Sequence, residues 1–566
     1  MRPPSSGSGR AWWGVAALVL AAVQLPVLLR SGADPSQSDF ANYYTPARVL
    51  AEGGDLGALY DRDSFAAAMS RAGLSGLGSF IPHPPANALW LLPLAWLPAA
   101  AAKALWSAVL VGAAALTIVA LGRLEAGPGP WKAAVIVLAP TLALRNGLAF
   151  GQPYPVLAAL LACGALALER RRDFAAGLLL GLGVSFKPYA LALGFLFLGR
   201  EKRSALTGFV VGALSPSLLL GALAGAGPFV EFGTKVLPWM LRAQIQDPFS
   251  AVWGSASALS NRLFRLEPDL NPQPWLVAPW LARFAGSAVS TALLGLGVFA
   301  GRRAFGSGRV VDGAAIVIAF SVAASPFTAS YHLVLLALPV AVLAARWPGG
   351  AGIAVVLFWA VLGSSSFAAF RGASGVLAPL AYARLFGIVA LALAVSRIFI
   401  DRRVLGAALA LGATAGIGAL RFEAGDESWP RIETARGYSM MKPYFCGSDL
   451  RWRSPSADGR RQESRGEGGD CAATNAVSAE RPGLRVVSRF AAGSWDLYLQ
   501  GLAGTSEIRL TRSPANEIDP VLTPDGCGVV FASDQGRGLG STALYRLDLR
   551  PFIEECAGPG PAAGPR

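Results

Sequence analysis

Residues 155–203 read PVLAALLACGALALERRRDFAAGLLLGLGVSFKPYALALGFLFLGREKR. Three apolar runs, at about 155–168, 174–186 and 189–199, alternate with Arg170-Arg171-Arg172, with the lone Lys187, and with Arg200, Lys202 and Arg203. Apolar helices that stop on small clusters of cations are the pattern of a chain that crosses a membrane repeatedly. Each run is shorter than the ~20 residues that a full crossing requires. Short spans are tolerated where they line a cavity inside the protein rather than face lipid. Read this way, the stretch predicts an all-α polytopic membrane protein with a cradle of short helices.

The rest of the chain agrees. Of its 566 residues 53% are hydrophobic and only 15% charged, with a mean hydropathy of +0.47. A soluble protein carries about a quarter charged residues. The formal net charge of +14 invites a nucleic-acid reading, which the placement of the cations excludes, because they fall in short clusters at the ends of apolar runs. Ala11 to Leu29, preceded by Arg2 and Arg10, reads as an uncleaved anchor with the N-terminus in the cytoplasm. A polar loop at about 31–83 follows, and then Pro84 to Pro98, an apolar run read as interfacial or re-entrant. Further spans are expected at about 100–121, 132–144, 204–226, 276–300, 310–325, 333–346, 351–369, 381–400 and 404–420. With the anchor and the three opening runs the total is about thirteen. Arg170 to Arg172, Arg200 to Arg203, Arg302-Arg303, Arg346 and Arg402-Arg403 fall on one side, and the opposite loops are poorer in Lys and Arg. An odd number of spans puts the first loop and the C-terminal tail outside.

The expected organisation is a transmembrane domain over 1–420, a polar and partly flexible linker over 421–485, a β-rich segment over 486–550 and a disordered tail over 551–566. Alternation at period two in Trp495 to Leu499 and Val529 to Ser533 predicts strands, with a turn at Pro524-Asp525-Gly526. Four of the five cysteines, Cys446, Cys471, Cys527 and Cys556, lie in this tail, while Cys163 sits in an apolar helix. Four tail cysteines allow three pairings and point to an oxidising compartment.

Ionisable groups at membrane depth are expensive and mark function. Asp39, just beyond the first span, sits beside Tyr43 and Tyr44. It reads either as a general base for an acceptor hydroxyl or as a helix N-cap. His332 opens a late span; it is one of only two histidines, so a multi-histidine metal site is excluded. Lys187, at the apex of a hairpin of short helices, reads as a holder of a lipid phosphate or as a lysine reaching for the interface. Arg145 stands at the end of another short span, with Asn146 and Gln152 positioned for sugar hydroxyls. His83, ahead of Pro84-Pro85, reads as a ligand contact or as part of a turn. The glycines of Gly177 to Gly183 read as packing residues inside an apolar helix. No P-loop, HExxH or nucleophile elbow is present, and no cofactor is expected.

Several of these blocks, in order, resemble the GT-C glycosyltransferases of family 87, which include polyprenyl-phosphate-mannose-dependent mannosyltransferases. The matching residues are Asp39-Phe40 with Tyr43-Tyr44 and Ala47, Leu59-Tyr60-Asp61, Pro84-Pro85 with Pro93, Gly151-Gln152, Ala176-Gly177 through Phe186-Lys187-Pro188, and Ser325-Pro326 with His332. The resemblance covers about residues 10–400. It implies a bacterial inner-membrane hexosyltransferase that takes a sugar, mannose or another hexose, from a polyprenyl phosphate to an extracytoplasmic lipid or glycan acceptor. It implies catalytic roles for Asp39 and His332. Two departures leave the sugar and acceptor open: Gln152 is followed by Pro153 rather than an apolar residue and Asn, and the late block has one histidine where relatives often have two. The tail resembles TolB-like propeller repeats in Asp496 to Tyr498, Thr523 to Gly526, Phe531 to Asp534 and Leu544-Tyr545. A periplasmic protein partner is expected for it. Two other classes remain open from the residues: a transporter or flippase of lipid-linked substrates, although no internal repeat is visible, and an inactive anchor that displays the tail.

Overall fold

The computed structural model describes residues 7–35, 38–75, 78–199, 202–241, 245, 247–347, 349–421, 429–432, 441–446, 449–455, 462–466, 480–481, 484–491, 494–501, 507–513, 515–539, 541–553 and 556. The chain forms two compact units. The first comprises residues 1–232, 250–265 and 273–420, and the second residues 233–249, 266–272 and 421–566.

The first unit is helical. Its elements begin with α1 (Gly7–Ser31), α2 (Ser38–Ala51), α3 (Arg62–Arg71), α4 (Ala99–Gly122), α5 (Pro130–Leu138), α6 (Thr141–Phe150), α7 (Tyr154–Glu169), α8 (Asp173–Phe186), α9 (Arg203–Ala224) and α10 (Gly227–Glu231). After the short α11 (Leu237–Leu241) of the second unit come α12 (Ala256–Phe264), α13 (Pro279–Gly306), α14 (Val310–Ala324), α15 (Ala337–Arg346), α16 (Gly350–Leu362), α17 (Ala378–Ala381), α18 (Ala383–Ser396) and α19 (Arg402–Arg421). Among the described residues five helices are long and apolar enough to cross a membrane: Ala11–Ser31 within α1, and α4, α9, α13 and α19. Two bent pairs raise the number to seven, α5 with α6 at 70° and Gly375–Ala381 with α18 at 56°.

Among the described residues the five to seven candidate crossings do not confirm the expected thirteen, for a reason visible in the chain. Pro140 interrupts the apolar run at 132–144, so that α5 and α6 diverge; Leu142 and Ala143 at the start of α6 donate their amides to the Gly363 carbonyl instead. The run at 189–199 winds as 3-10 turns over Pro188–Phe197. Pro84 to Pro98 folds as two short 3-10 turns, Pro85–Leu89 and Leu92–Leu94. The apolar helices α7, α8, α14 and α16 have 10–17 residues each. At 1.5 Å per residue such helices rise about 15–26 Å, short of the ~30 Å hydrocarbon layer. Of these, α14 is held inside the unit and almost wholly buried, whereas α16 leaves Ile353, Leu357, Phe358 and Val361 exposed. Gly177 and Gly181 of α8 meet the carbonyls of Ala205 and Phe209 on α9, while Gly208 and Gly212 of α9 meet those of Phe174 and Leu178. A Cβ at any of the four would overlap backbone, so these glycines permit the close crossing expected of small residues at this spacing.

The second unit is β-rich. Antiparallel sheets run β1 (Met441–Cys446), β2 (Asp449–Pro455) and β3 (Gln462–Gly466); β4 (Glu480–Arg481), β5 (Leu484–Ala491), β6 (Ser494–Gly501) and β7 (Glu507–Arg509); and β8 (Glu517–Leu522), β9 (Gly528–Ser533) and β10 (Ala543–Asp548). The alternating segments at 495–499 and 529–533 lie in β6 and β9. The Pro524 to Gly526 turn closes with a bond from the Gly526 amide to the Thr523 carbonyl, 2.8 Å. Strands begin earlier than expected, since β1 to β4 occupy part of the region read as linker. Cys527 and Cys556 form a disulfide. Cys471 and the side chain of Cys446 lie outside the described residues, as does most of 551–566. Residues 266–272, from between α12 and α13, belong to this unit: Glu267 accepts from Arg431 and Arg537, 2.7 Å each, and Asp269 from the same two guanidinium groups.

Candidate active site

Asp39 lies in the first turn of α2, where the unpaired amides and the helix dipole favour a carboxylate. Its Oδ2 accepts from the side-chain amide of Gln152, 2.9 Å. The amide oxygen of Gln152 in turn accepts from the Tyr43 hydroxyl, 3.0 Å. Gln152 is placed there by the end of α6. Gly151 takes the left-handed conformation, φ 73°. Its amide bonds Leu148 and that of Gln152 bonds Gly147, which is a Schellman closure that glycine alone adopts without strain. Burial, then the negative charge of Asp39 and then Tyr331, push the Tyr43 phenol well above its ordinary range. It therefore stays protonated and donates.

Lys187 arrives from α8. Pro188 excludes the helical conformation at the preceding residue, and Lys187 is extended, φ −156° and ψ 143°, in the turn beyond the helix. Its ammonium lies 3.2 Å from His83 Nδ1. The His83-Pro84-Pro85 segment is pinned on both sides: Tyr60 donates to the His83 carbonyl, 2.8 Å, and the Asn87 amide donates to Ser185 O in the last turn of α8, 3.1 Å. The His83 ring packs on Tyr43, centroids 4.7 Å apart. Burial, and secondly the Lys187 charge, depress the His83 imidazole well below its usual range. Burial also lowers Lys187 to about 8, against the pull of Asp39. Because the ammonium can only donate, His83 Nδ1 accepts and the ring proton sits on Nε2.

His332 lies in the 3-10 turn Ser330–Leu336 and is 5% exposed. Its Nδ1 accepts from the Ala329 amide, 2.8 Å, and its ring meets Tyr154 edge-on at 4.5 Å. A backbone amide cannot share Nδ1 with a ring proton, so this imidazole too is neutral with its proton on Nε2. Lys187 lies within electrostatic reach of Asp39 and of both histidines.

Thus Asp39, Tyr43, Gln152, His83, Lys187 and His332 are brought into one cluster from α2, the α6–α7 corner, the His-Pro-Pro loop, the end of α8 and the 3-10 turn before α15. The other candidates lie differently. Arg145 is exposed on α6, and no contact joins it to the cluster among the described residues. Its neighbour Asn146 donates to Ser330 Oγ, 2.9 Å, and so ties α6 to the His332 turn. Tyr44 is buried with its hydroxyl committed to the Leu97 carbonyl, 2.6 Å, a packing role. Lys103 was not expected in the site. It is completely buried near the start of α4, with its ammonium on the Ala149 carbonyl, 2.8 Å. A cation this close to the beginning of an apolar run ordinarily reads as one that reaches for the interface; only its inward direction singles it out.

The starting end of α8 has a different character. A cleft of about 920 Å³ there is lined by Asp173, Lys202, Arg302, Arg309, Asp312 and Arg346 among others. Its charges are largely paired, Lys202 with Asp173 and both Arg309 and Arg346 with Asp312.

A carboxylate grouped with an ammonium and two imidazole N–H donors is a set suited to moving a proton and to holding an anion. The model of glycosyltransferase family 87 matches residues 80–326. Over that stretch the chain is similar to the family 87 glycosyltransferases, and the apolar helices there fit a membrane setting. It contains His83, Arg145, Gln152 and Lys187, while Asp39, Tyr43, Tyr44 and His332 lie outside it. No curated protein and no solved structure matches the chain.

Proposed function

We propose that the chain transfers a hexose, with mannose as the first candidate, from a polyprenyl-phosphate donor to an extracytoplasmic lipid or glycan acceptor, with inversion at the anomeric carbon. The observation that carries this reading is the meeting of Asp39, Lys187, His83 and His332 from distant parts of the chain. The acceptor hydroxyl attacks the anomeric carbon, the bond from that carbon to the phosphate oxygen breaks, and its electron pair leaves with the lipid phosphate. Asp39 takes the hydroxyl proton. Lys187 and the Nε2–H groups of His83 and His332 face the phosphate and stabilise the charge that develops there. The base assignment goes to Asp39 because His332 Nδ1 is occupied by the Ala329 amide. Its other nitrogen carries the proton, which makes this ring a donor. A single displacement of this geometry inverts the centre, as in single-step glycoside hydrolysis.

In this reading the enzyme resides in the bacterial inner membrane with the Asp39 cluster and the C-terminal unit outside. That unit, with its TolB-like repeats, presents a surface to a periplasmic protein. The test uses purified protein in vesicles, radiolabelled polyprenyl-phosphate mannose and a membrane lipid extract as acceptor. Asp39→Asn is expected to lower transfer by about a hundred- to ten-thousandfold. His332→Ala is expected to lower it by about a hundred- to thousandfold, as for loss of one anion-stabilising donor. Full activity in both well-folded variants rejects the mechanism.

A further inference from the structure

Lys103 is the one fully buried cation that this mechanism leaves unused among the described residues of the first unit; its exposure is 0%. Burial of an ammonium within an apolar helix is costly unless it is matched by acceptors and charge. The acceptors are the carbonyls of Leu148 and Ala149, 3.3 and 2.8 Å away. Both belong to the last turn of α6, which carries the negative end of the dipole, and the Leu148 carbonyl also accepts from the Gly151 amide. One turn further along α4, Trp106 donates its indole N–H to the Gly151 carbonyl, 2.8 Å. The two side chains of α4 therefore grip the corner from both flanks of its left-handed glycine. The space between is filled: a Cβ on Gly151 would lie 2.9 Å from Lys103 Nζ and 3.2 Å from Phe40 Cβ. The ammonium also stands over the Phe40 ring, 5.6 Å from its centroid, and is attracted by Asp34 and Asp39.

We propose that Lys103 is a positioning residue for the base: it holds the α6–α7 corner that presents Gln152 to Asp39 and brings a positive charge to that corner. The inference rests on the reading of Asp39 as the base. Groups from three elements act on Asp39 in this arrangement. Gln152 supplies a directed hydrogen bond, Lys187 a charge from the end of α8, and Lys103 a second charge from α4. Facing them are Tyr43, neutral and hydrogen-bonded to Gln152, Asp34, which shares Lys103, and the neutral imidazoles of His83 and His332 beyond Lys187. Removal of the Lys103 charge shifts the balance at Asp39 toward the protonated acid.

The experiment is an infrared titration of the full chain in lipid nanodiscs, which needs no substrate. The protonated-carboxyl band of Asp39 is assigned as the band lost in Asp39→Asn. Its midpoint is then followed in Lys103→Met, Lys103→Arg and Trp106→Phe. An upward move of the midpoint by about one pH unit is expected in Lys103→Met, with little movement in Lys103→Arg, which keeps the charge. Trp106→Phe removes one hydrogen bond from the corner without changing charge, and its midpoint is expected to move clearly less than that of Lys103→Met. A midpoint that does not move in Lys103→Met, or that moves equally in Trp106→Phe, overturns the proposal. Should Lys103→Met fail to fold, Lys103→Gln, which keeps a hydrogen-bond donor but not the charge, takes its place, and a midpoint that does not move in it overturns the proposal. If the midpoint behaves as expected while Asp39→Asn still transfers sugar, the assignment of Lys103 stands and the base assignment falls.

Discussion

Lys187 makes the mechanism sensitive to pH in a range that is easy to reach. Burial brings its ammonium down to about 8, with Asp39 pulling the other way. A group titrating at about 8 is about nine-tenths protonated at pH 7 and about one-tenth protonated at pH 9. Only the protonated form can offset charge on the departing lipid phosphate. The proposed donor is a phosphodiester, a group that stays ionised across this range, so the basic limb belongs to the enzyme. The sign follows directly: the second-order rate constant for donor falls as pH rises through about 8, approaching a tenfold loss per unit. A bound phosphate stabilises the ammonium, so the basic limb of kcat lies above that of kcat/KM. Lys187→Arg supplies a cation that does not lose its proton in proteins. It is expected to lower the rate, because a planar fork replaces a compact ammonium beside His83 Nδ1, and to abolish the basic limb up to pH 10. The assay is initial-rate transfer from labelled polyprenyl-phosphate mannose in vesicles between pH 5.5 and 10. A native profile flat from pH 7 to 9.5, or an unchanged basic limb in Lys187→Arg, refutes the assignment of Lys187 to the phosphate.

Three further outcomes are expected. Gln152→Ala removes the amide that bridges Asp39 and Tyr43 and is expected to lower kcat by about a hundredfold with KM for donor nearly unchanged, the signature of a misplaced base; steady-state kinetics decide, and unchanged kcat counts against the bridge. Gly151→Ala forces a side chain into a left-handed residue at φ 73° and against Lys103 and Phe40; it is expected to cost about 1–2 kcal/mol from the backbone alone, read as a lower melting temperature of the detergent-purified protein, whereas an unaltered melting temperature shows that the corner yields. Arg537→Met removes one of the guanidinium groups that pair with Glu267 and Asp269, in a site where Arg537 is 0% exposed; loss of one partner from a buried ion cluster costs about 3–5 kcal/mol, so limited proteolysis of the C-terminal unit is expected to accelerate, and native-like resistance shows that the cluster contributes little.

The membrane character of this chain was legible from its residues because it depends on local composition. Apolar runs between cationic clusters are excluded from water wherever they occur, and the glycine spacing of α8 demands a close neighbour before that neighbour is known. Pro188 after Lys187 and Gly151 before Gln152 likewise announce where helices stop, since proline and a left-handed glycine act on their own backbone. The number of crossings was not legible. Hydrophobicity reports that a segment avoids water, but not whether it meets lipid or other helices; the burial of α14 and the bend at Pro140 are decided by packing.

The same division runs through the candidate site. Asp39, Lys187 and His332 attract notice in the sequence as rare polar groups beside apolar runs. Nothing in their spacing says that Gln152 joins Asp39 to Tyr43, that His83 receives Lys187, or that the Ala329 amide settles which nitrogen of His332 carries the proton. Lys103 and Arg145 show the limit most clearly. Each is a cation near the end of an apolar helix and the two look alike in sequence, yet one turns inward to the carbonyls of α6 while the other remains exposed. Composition determines that a charge must find water or a partner; only the tertiary structure determines which it finds, because the partner comes from a helix many residues away.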